Sequence, residues 1–189
     1  MKKMIIAAGL LLSAVTGFAQ KYVPQITTGT VLNYTAYARA FGQSLPATIT
    51  ITDVNAPLKM KWSVPGMGEG VFEVSAKGIQ NGKKMAIKEP GMDEVTKLKD
   101  DETLAFLSKD TFAGLVSNNT FELNGQTFNV TADATPYTIN GKEADVFYAV
   151  TPNGKTKLWI LNNPDFPLIC KMQGGPHGCL LYTSDAADE

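Results

Sequence analysis

Apolar and polar residues alternate along much of this chain, which is the pattern of strands in a half-buried sheet. Residues 47–54 place Ile49 and Ile51 on one face and a row of threonines on the other. Residues 30–40 and 58–64 alternate in the same way and are rich in β-branched and aromatic side chains. The pattern predicts antiparallel strands in a sheet that has one wetted face.

Asparagine–glycine pairs separate several of these stretches. Such a pair favours the type I′ hairpin turn, because that turn needs positive φ at both central residues. Repeated pairs between strand-like runs predict a meander of antiparallel hairpins. The four pairs are Asn81-Gly82, Asn124-Gly125, Asn140-Gly141 and Asn153-Gly154.

Residues 155–172 have the pattern of a strand, a tight corner and a second strand. Leu158 to Leu161 is an apolar run, turn-forming residues follow it, and Pro167 restarts an extended segment. We expect this stretch to be the closing hairpin of the sheet, with Trp159 as its largest side chain.

One stretch, residues 108–118, has the pattern of a helix. Ser108 is a suitable N-cap, and Asp110 lies in the first turn, where the helix dipole favours a negative charge. Three residues have the i, i+3, i+4 spacing of a buried stripe. These are Phe112, Leu115 and Val116.

The elements together predict a mainly β fold of the α+β type. We expect a curved antiparallel meander sheet or an open barrel, with one helix (about 108–118) packed on it. Residues 83–88 are interpreted as a short strand across the Asn81-Gly82 turn. The polar residues 89–102 are interpreted as a long loop or a short helical excursion.

Residues 1–19 have the features of a secretory signal peptide. Lys2 and Lys3 precede a short apolar core, and Gly17 and Ala19 are small residues at the positions that a signal peptidase reads. The apolar core is shorter than the ~20 residues of a transmembrane helix. We therefore expect Sec-type export to the periplasm or medium, with no membrane span after cleavage; a retained anchor is the alternative.

Residues 179–189, CLLYTSDAADE, resemble the read-through translation of a sequencing adapter. The resemblance implies a non-native tail, so that the natural chain is cut off near Gly178 and residues 20–178 form a single domain. A genuine acidic tail is the alternative. Cys170 is then the only native cysteine and is interpreted as a small buried hydrophobe, although a disulfide with Cys179 is a second reading.

The charge of the chain is balanced. Removing both ends lowers Lys+Arg from 17 to 15, through Lys2 and Lys3, and lowers Asp+Glu from 18 to 15, through three acids of the tail. Arg39 is the only arginine. A neutral chain without clustered Lys and Arg argues against nucleic-acid binding.

Residues that carry catalytic chemistry are sparse. The only histidine, His177, lies beside the adapter-like tail, which excludes a histidine triad or a histidine-rich metal site. Gly66, Gly68 and Gly70 precede a strand pattern, whereas a nucleotide loop needs a helix there. We predict no catalytic, cofactor-binding or metal-binding residues and no enzyme.

One acidic cluster lies within residues 89–102. Its spacing differs from that of an EF-hand loop, and lysines lie between the acids. We interpret the cluster as a hydrated loop; a calcium site is the alternative. Its members are Asp93, Glu94, Asp100, Asp101 and Glu102.

The large apolar side chains have two interpretations. Most of them should fill the space between sheet and helix, while some could line a groove for an apolar ligand. The candidate groove residues are Trp62, Phe112, Leu115, Val116 and Trp159.

The chain resembles a group of exported β-rich proteins from Bacteroidota over most of residues 20–172. The resemblance rests on Gln20-Lys21-Tyr22 after the cut, one helix within a hairpin series, and the stretch KTKLWILNNPDFPLI. More distantly, the chain is similar to periplasmic proteins of the lipoprotein-carrier (Lol-type) fold, which implies a groove for an acyl chain. Those carriers have several helices, whereas this sequence predicts one. They also have an arginine motif on an early strand, whereas Arg39 is an isolated arginine outside any such motif, so we transfer no functional residue.

These observations favour an exported, non-enzymatic binding module for a lipidic or other apolar ligand in a groove between sheet and helix. The alternative is a structural or interaction domain of the cell envelope with a packed core, whose partner is an envelope protein. A third reading, an enzyme, needs two carboxylates that meet in a cleft. A cavity of roughly 300 Å³ or more distinguishes the first hypothesis from the second.

Overall fold

A computed structural model of the chain describes residues 20–38, 43–86, 92–132, 136–175 and 178–185. The predicted signal peptide lies outside these residues, as do Arg39 and His177. The described helices are α1 (Ala76–Asn81) and α2 (Lys109–Asn118). The strands are β1 (Val31–Ala38), β2 (Gln43–Asp53), β3 (Leu58–Val64), β4 (Gly68–Val74), β5 (Lys84–Met85), β6 (Val95–Lys97), β7 (Glu102–Thr103), β8 (Thr120–Leu123), β9 (Gln126–Thr131), β10 (Thr138–Ile139), β11 (Lys142–Glu143), β12 (Val146–Val150), β13 (Lys157–Leu161), β14 (Ile169–Gly175) and β15 (Gly178–Asp185).

The fold is mainly β, as predicted. One 11-stranded sheet has the order β6-β4-β3-β2-β1-β15-β14-β13-β12-β9-β8. Its pairs are antiparallel except for β4 with β6, which is parallel. In the described chain β6 and β8 are the two edges of this sheet, so it is open and does not close into a barrel.

The C-terminal strand β15 lies between β1 and β14 and pairs antiparallel with both. It contains most of the stretch that resembles a sequencing adapter. The backbone of this stretch therefore takes part in the sheet, and its adapter origin stays a prediction.

Two of the four asparagine–glycine turns form as predicted. Both residues have positive φ in Asn124-Gly125, between β8 and β9, and in Asn140-Gly141, between β10 and β11. Asn153-Gly154 also lies in a hairpin turn, between β12 and β13, but only its glycine has positive φ, at 69°.

The prediction of a hairpin turn at Asn81-Gly82 is wrong. Asn81 ends the short helix α1, and Gly82 caps it with a φ of −57°. The Ser75 side chain accepts a hydrogen bond from the Gly78 amide at 3.1 Å and so begins this helix. A Cβ on Gly78 would lie 2.5 Å from the carbonyl oxygen of Glu102, which shows how closely α1 approaches the chain there.

The short strand predicted within residues 83–88 is present in their described part as β5. Because α1 turns the chain differently, β5 forms no hairpin across Asn81-Gly82 and instead pairs in parallel with β7. Residues 89–102 are also not one long loop, since their described part contains the strand β6, which pairs with β4.

The helix predicted from Ser108 is confirmed as α2. Ser108 is its N-cap, and Asn119 ends it in the left-handed conformation, with a φ of 54°. Phe112 and Leu115 are buried as predicted, but Val116 is 52 % exposed. The buried face of α2 consists of Thr111, Phe112 and Leu115, so it is shifted toward Thr111 from the predicted stripe.

Buried apolar residues form two clusters. The first, which we call the sheet core, covers the inner face of β1–β4 and includes Leu32, Ile51, Met60 and Trp62. The second, the helix core, lies under α2 and includes Phe112, Leu115, Leu158 and Ile160. Strand β13 contributes to both clusters, because Leu158 and Ile160 belong to the helix core and Leu161 belongs to the sheet core.

We predict that Ser108→Ala lowers the free energy of unfolding by about 1 kcal/mol, the usual cost of a lost N-cap. Ser108 is fully buried, and its hydroxyl donates to Thr111 Oγ1 at 2.9 Å. Urea unfolding measures the change. Ser117→Ala is the control, because Ser117 is exposed on the same helix; equal losses in both variants would contradict the capping role.

We also predict that Gly174→Ala destabilises the fold by about 2–3 kcal/mol more than Gly154→Ala. Both glycines have positive φ, at 74° and 69°, so this backbone cost is shared. A Cβ on Gly174 would collide with the backbone carbonyl of Lys155, whereas a Cβ on Gly154 would meet no atom within 4 Å. Equal unfolding midpoints of the two variants would show that β14 does not approach the Lys155 turn this closely.

Candidate functional site

The five predicted groove residues do not lie together. Phe112 and Leu115 are buried in the helix core, Trp62 is buried in the sheet core, and Val116 faces solvent. Trp159 is 7 % exposed and lies on the sheet face opposite α2, because it alternates with Leu158 and Ile160. The space between α2 and the sheet is occupied by the side chains of the helix core, and ligand binding there stays a prediction.

Trp62 has one unusual property. Of the buried side-chain nitrogen and oxygen atoms in the described residues, its Nε1 is the one without a hydrogen-bond partner. A buried donor left without an acceptor costs about 1–3 kcal/mol. Trp62 belongs to the sheet core and lines neither of the depressions described below.

The sheet face opposite α2 carries a row of three large side chains. Tyr148 on β12 is paired with Trp159 on β13, which is paired with Lys171 on β14. The rings of Tyr148 and Trp159 are 4.7 Å apart between centroids, and the Lys171 ammonium lies 4.4 Å from the Trp159 centroid. Cross-strand aromatic contacts and a cation over an indole ring both stabilise such a row.

A β-bulge in β14 determines where Lys171 points. The pairing shifts from Trp159 with Lys171 to Ile160 with Ile169, so Cys170 is an extra residue. A bulge of this kind re-aims neighbouring side chains. Here Cys170 enters the sheet core, while Lys171 lies over Trp159.

The bulge also leaves a backbone carbonyl available for a side chain. The hydroxyl of Tyr137 donates a hydrogen bond to the carbonyl oxygen of Cys170 at 3.1 Å. Tyr137 comes from the segment before β10, so this bond holds that segment against the sheet face. The segment becomes one wall of a surface depression.

This depression, which we call the lysine pocket, has a volume of about 250 Å³. Its floor comes from β12, β13 and β14, and its wall comes from the segment that contains Tyr137. Its described lining includes two lysines and no carboxylate. The lining residues are Pro136, Tyr137, Tyr148, Lys157, Trp159, Lys171 and Gln173.

A second depression, which we call the side pocket, has a volume of about 320 Å³. It shares Pro136, Tyr137 and Tyr148 with the lysine pocket, so the two adjoin. On this face its apolar side chains are those of Pro136, Tyr137, Tyr148 and Val146. Val130 and Phe147 also line it, but their side chains pack against the helix core on the other face. Polar residues at its rim include Lys21 and Glu143, which form an ion pair at 3.1 Å.

Few sequence features indicate this surface. Lys157 could have been placed beside Trp159, because residues two apart on a strand share a face. Lys171 could not, since its position depends on the bulge at Cys170. Tyr137 packs against the sheet core and, together with Tyr148, also lines the two pockets.

The acidic cluster forms separate surface contacts. Hydrogen bonds from Ser75 and Lys77 lower the pKa of Asp100, and a hydrogen bond from Lys84 lowers the pKa of Asp101. The same contact with Asp101 raises the pKa of Lys84. Among the described residues, no three His, Cys, Asp or Glu side chains lie close enough to hold a metal ion.

Cys170 is a buried free thiol, as the interpretation of a small hydrophobe predicts. It forms no disulfide. Burial in apolar surroundings raises the pKa of the Cys170 thiol well above its ordinary value.

Neither described helix has both the length and the apolar composition needed to cross a membrane. Comparison with known protein families, curated proteins and solved structures finds no match to this chain. The similarity to exported proteins of Bacteroidota and to the Lol-type fold therefore stays a prediction.

We predict that alkaline pH destabilises the fold through Cys170. Its pKa is raised in the folded state, so the unfolded chain ionises first, and stability that is complete below roughly pH 8.5 is lost above it. The loss is about 1.4 kcal/mol for each pH unit above that value. Urea unfolding at pH 7 and pH 10 should show this loss in the parent protein relative to Cys170→Ala; identical pH dependences would contradict the burial of the thiol.

Proposed function

We propose that this protein is an exported, non-enzymatic binding module for a small molecule with a substantial apolar part. The ligand lies in the lysine pocket and the side pocket, on the sheet face opposite α2. The observation that carries the proposal is the adjoining pair of depressions built around Tyr148 and Trp159.

The size and lining of these depressions support a small ligand. The side pocket, at about 320 Å³, lies within the range of roughly 300–1,000 Å³ typical of small-molecule sites. Valine, proline and aromatic side chains supply apolar contact, but the exposed lining of both depressions is more polar than apolar and includes lysine, glutamate, threonine and glutamine. Such a lining favours a ligand that has a polar group beside its apolar part over a purely apolar one.

This location differs from the groove between sheet and helix that the sequence suggested. The helix core fills the space under α2, so a ligand there would have to displace packed side chains such as Phe112 and Leu115. Occupying an open depression requires no such rearrangement. The opposite face is therefore the less costly site.

The predicted signal peptide supports a periplasmic or secreted location. The Lol-type resemblance, which stays a prediction, implies an apolar ligand as well. The alternative, an envelope domain without a ligand, explains the two cores but assigns no role to the aromatic surface.

We predict that Tyr148→Ala weakens binding of 1-decanol at least tenfold, because the Tyr148 ring lines both pockets. Binding is followed by fluorescence in a Trp62→Phe background, which leaves Trp159 as the only tryptophan reporter. The expected result for the background protein is a blue shift of Trp159 emission as the alcohol excludes water.

Val116→Ala is the matched control, since Val116 lies on α2 and is exposed. Its affinity should equal that of the background protein. Loss of binding in this variant alone would return the site to the helix. No emission shift with 1-decanol, together with an unliganded mass of the gently purified protein in native mass spectrometry, would overturn the proposed function and favour the ligand-free envelope domain.

A further inference from the structure

The lysine pocket contains two cations that approach each other from neighbouring strands. Lys157 on β13 is paired with Gln173 on β14, and Lys171 is paired with Trp159, so the two lysines are diagonal neighbours on one face. Diagonal neighbours in an antiparallel pair are about 7–8 Å apart, within reach of long side chains. Both ammonium groups can therefore reach one small anion in the pocket.

Neither of these lysines has an ion-pair partner among the described carboxylates. Other lysines of the same chain do pair: Lys61 with Glu69 at 2.8 Å, and Lys84 with Asp101 at 2.7 Å. The described lining of the lysine pocket contains no aspartate or glutamate. Within the part of the chain that the structure describes, two lysines without an ion-pair partner in one partly enclosed depression favour a positive potential there.

Lys157 and Lys171 are both half-buried, unlike a lysine that extends freely into water. The ammonium of Lys171 is held 4.4 Å from the Trp159 centroid, which restricts its conformations before a ligand arrives. Such restriction lowers the entropy cost of binding an anion. The extra residue at Cys170 creates this arrangement, because it places Lys171 opposite Trp159.

We infer that Lys157 and Lys171 bind the carboxylate of an amphipathic ligand whose apolar part lies in the side pocket. This inference rests on the proposed function and adds the chemical class of the ligand. A carboxylate accepts charge-assisted hydrogen bonds from two ammonium groups, and Gln173 offers a neutral donor beside them. The shared wall of Tyr137 and Tyr148 joins the charged end of the site to its apolar end.

Isothermal titration calorimetry with three probes tests the inference: decanoate, 1-decanol and acetate, all at pH 8. We expect decanoate to bind at least tenfold more tightly than 1-decanol, and acetate to bind far more weakly than either. The variants Lys157→Met and Lys171→Met should each weaken decanoate about tenfold and change 1-decanol less than twofold, because methionine keeps an apolar side chain without the charge.

Two control variants separate charge from packing. Lys155→Met removes a charge from the exposed turn before β13 and should leave decanoate binding unchanged. Lys171→Arg keeps a cation over Trp159 and should retain most of the decanoate affinity. If Lys155→Met weakens decanoate as much as the pocket variants do, the effect is that of net charge and the inference is wrong.

The remaining outcomes distinguish this inference from the proposed function. Equal affinities for decanoate and 1-decanol, unchanged in both pocket variants, would overturn the carboxylate site while the binding module stands. Acetate as tight as decanoate would overturn the amphipathic ligand. Heats of binding absent for both ten-carbon probes would overturn the proposed function and this inference together.

Discussion

The burial of β13 on both of its faces is the constraint on which the rest of the structure depends. Leu158 and Ile160 enter the helix core, whereas Leu161, on the other face, enters the sheet core. A strand with no wetted face is stable only if other elements cover both sides of the sheet. Helix α2 covers one side, and the segment from Tyr137 through β10 and β11 covers part of the other.

Beyond the segment that contains Tyr137, part of the sheet face opposite α2 belongs to neither core and forms the surface around Trp159. Strand β14 pairs with β15 only from Lys171 onward, so the carbonyls of Ile169 and Cys170 need other partners. Tyr34 donates to Ile169 at 3.3 Å and Tyr137 donates to Cys170 at 3.1 Å. These hydroxyls satisfy buried backbone acceptors and fix the position of the pocket wall. The same polar requirement thus stabilises the fold and shapes the site.

The parts of the fold that depend on local patterns could be predicted from the sequence. Alternation identified the strands, and the side chain of Ser108 identified the start of α2. The parts that depend on long-range packing could not. Asn81-Gly82 suits a hairpin, but the cap at Ser75 and the close contact of Gly78 with the chain near Glu102 favour a helix end instead. Val116 is exposed because the buried face of α2 is formed by Thr111, Phe112 and Leu115, and the long-range contacts that select this face have no local sequence pattern.

The site was harder to predict than the fold for a related reason. Its residues come from strands whose alternation was recognised, yet one extra residue in β14 changes which side chain lies opposite Trp159. Ile160 is paired with Ile169, so a regular ladder without the bulge would place Cys170 opposite Trp159 and Lys171 opposite Leu158. Lys171 would then no longer lie over Trp159. A bulge leaves the hydrophobic pattern of its strand almost intact, because the thiol is accepted by the sheet core. The chain can therefore move a charge onto an aromatic surface at little cost to its core, and sequence alternation does not record the change.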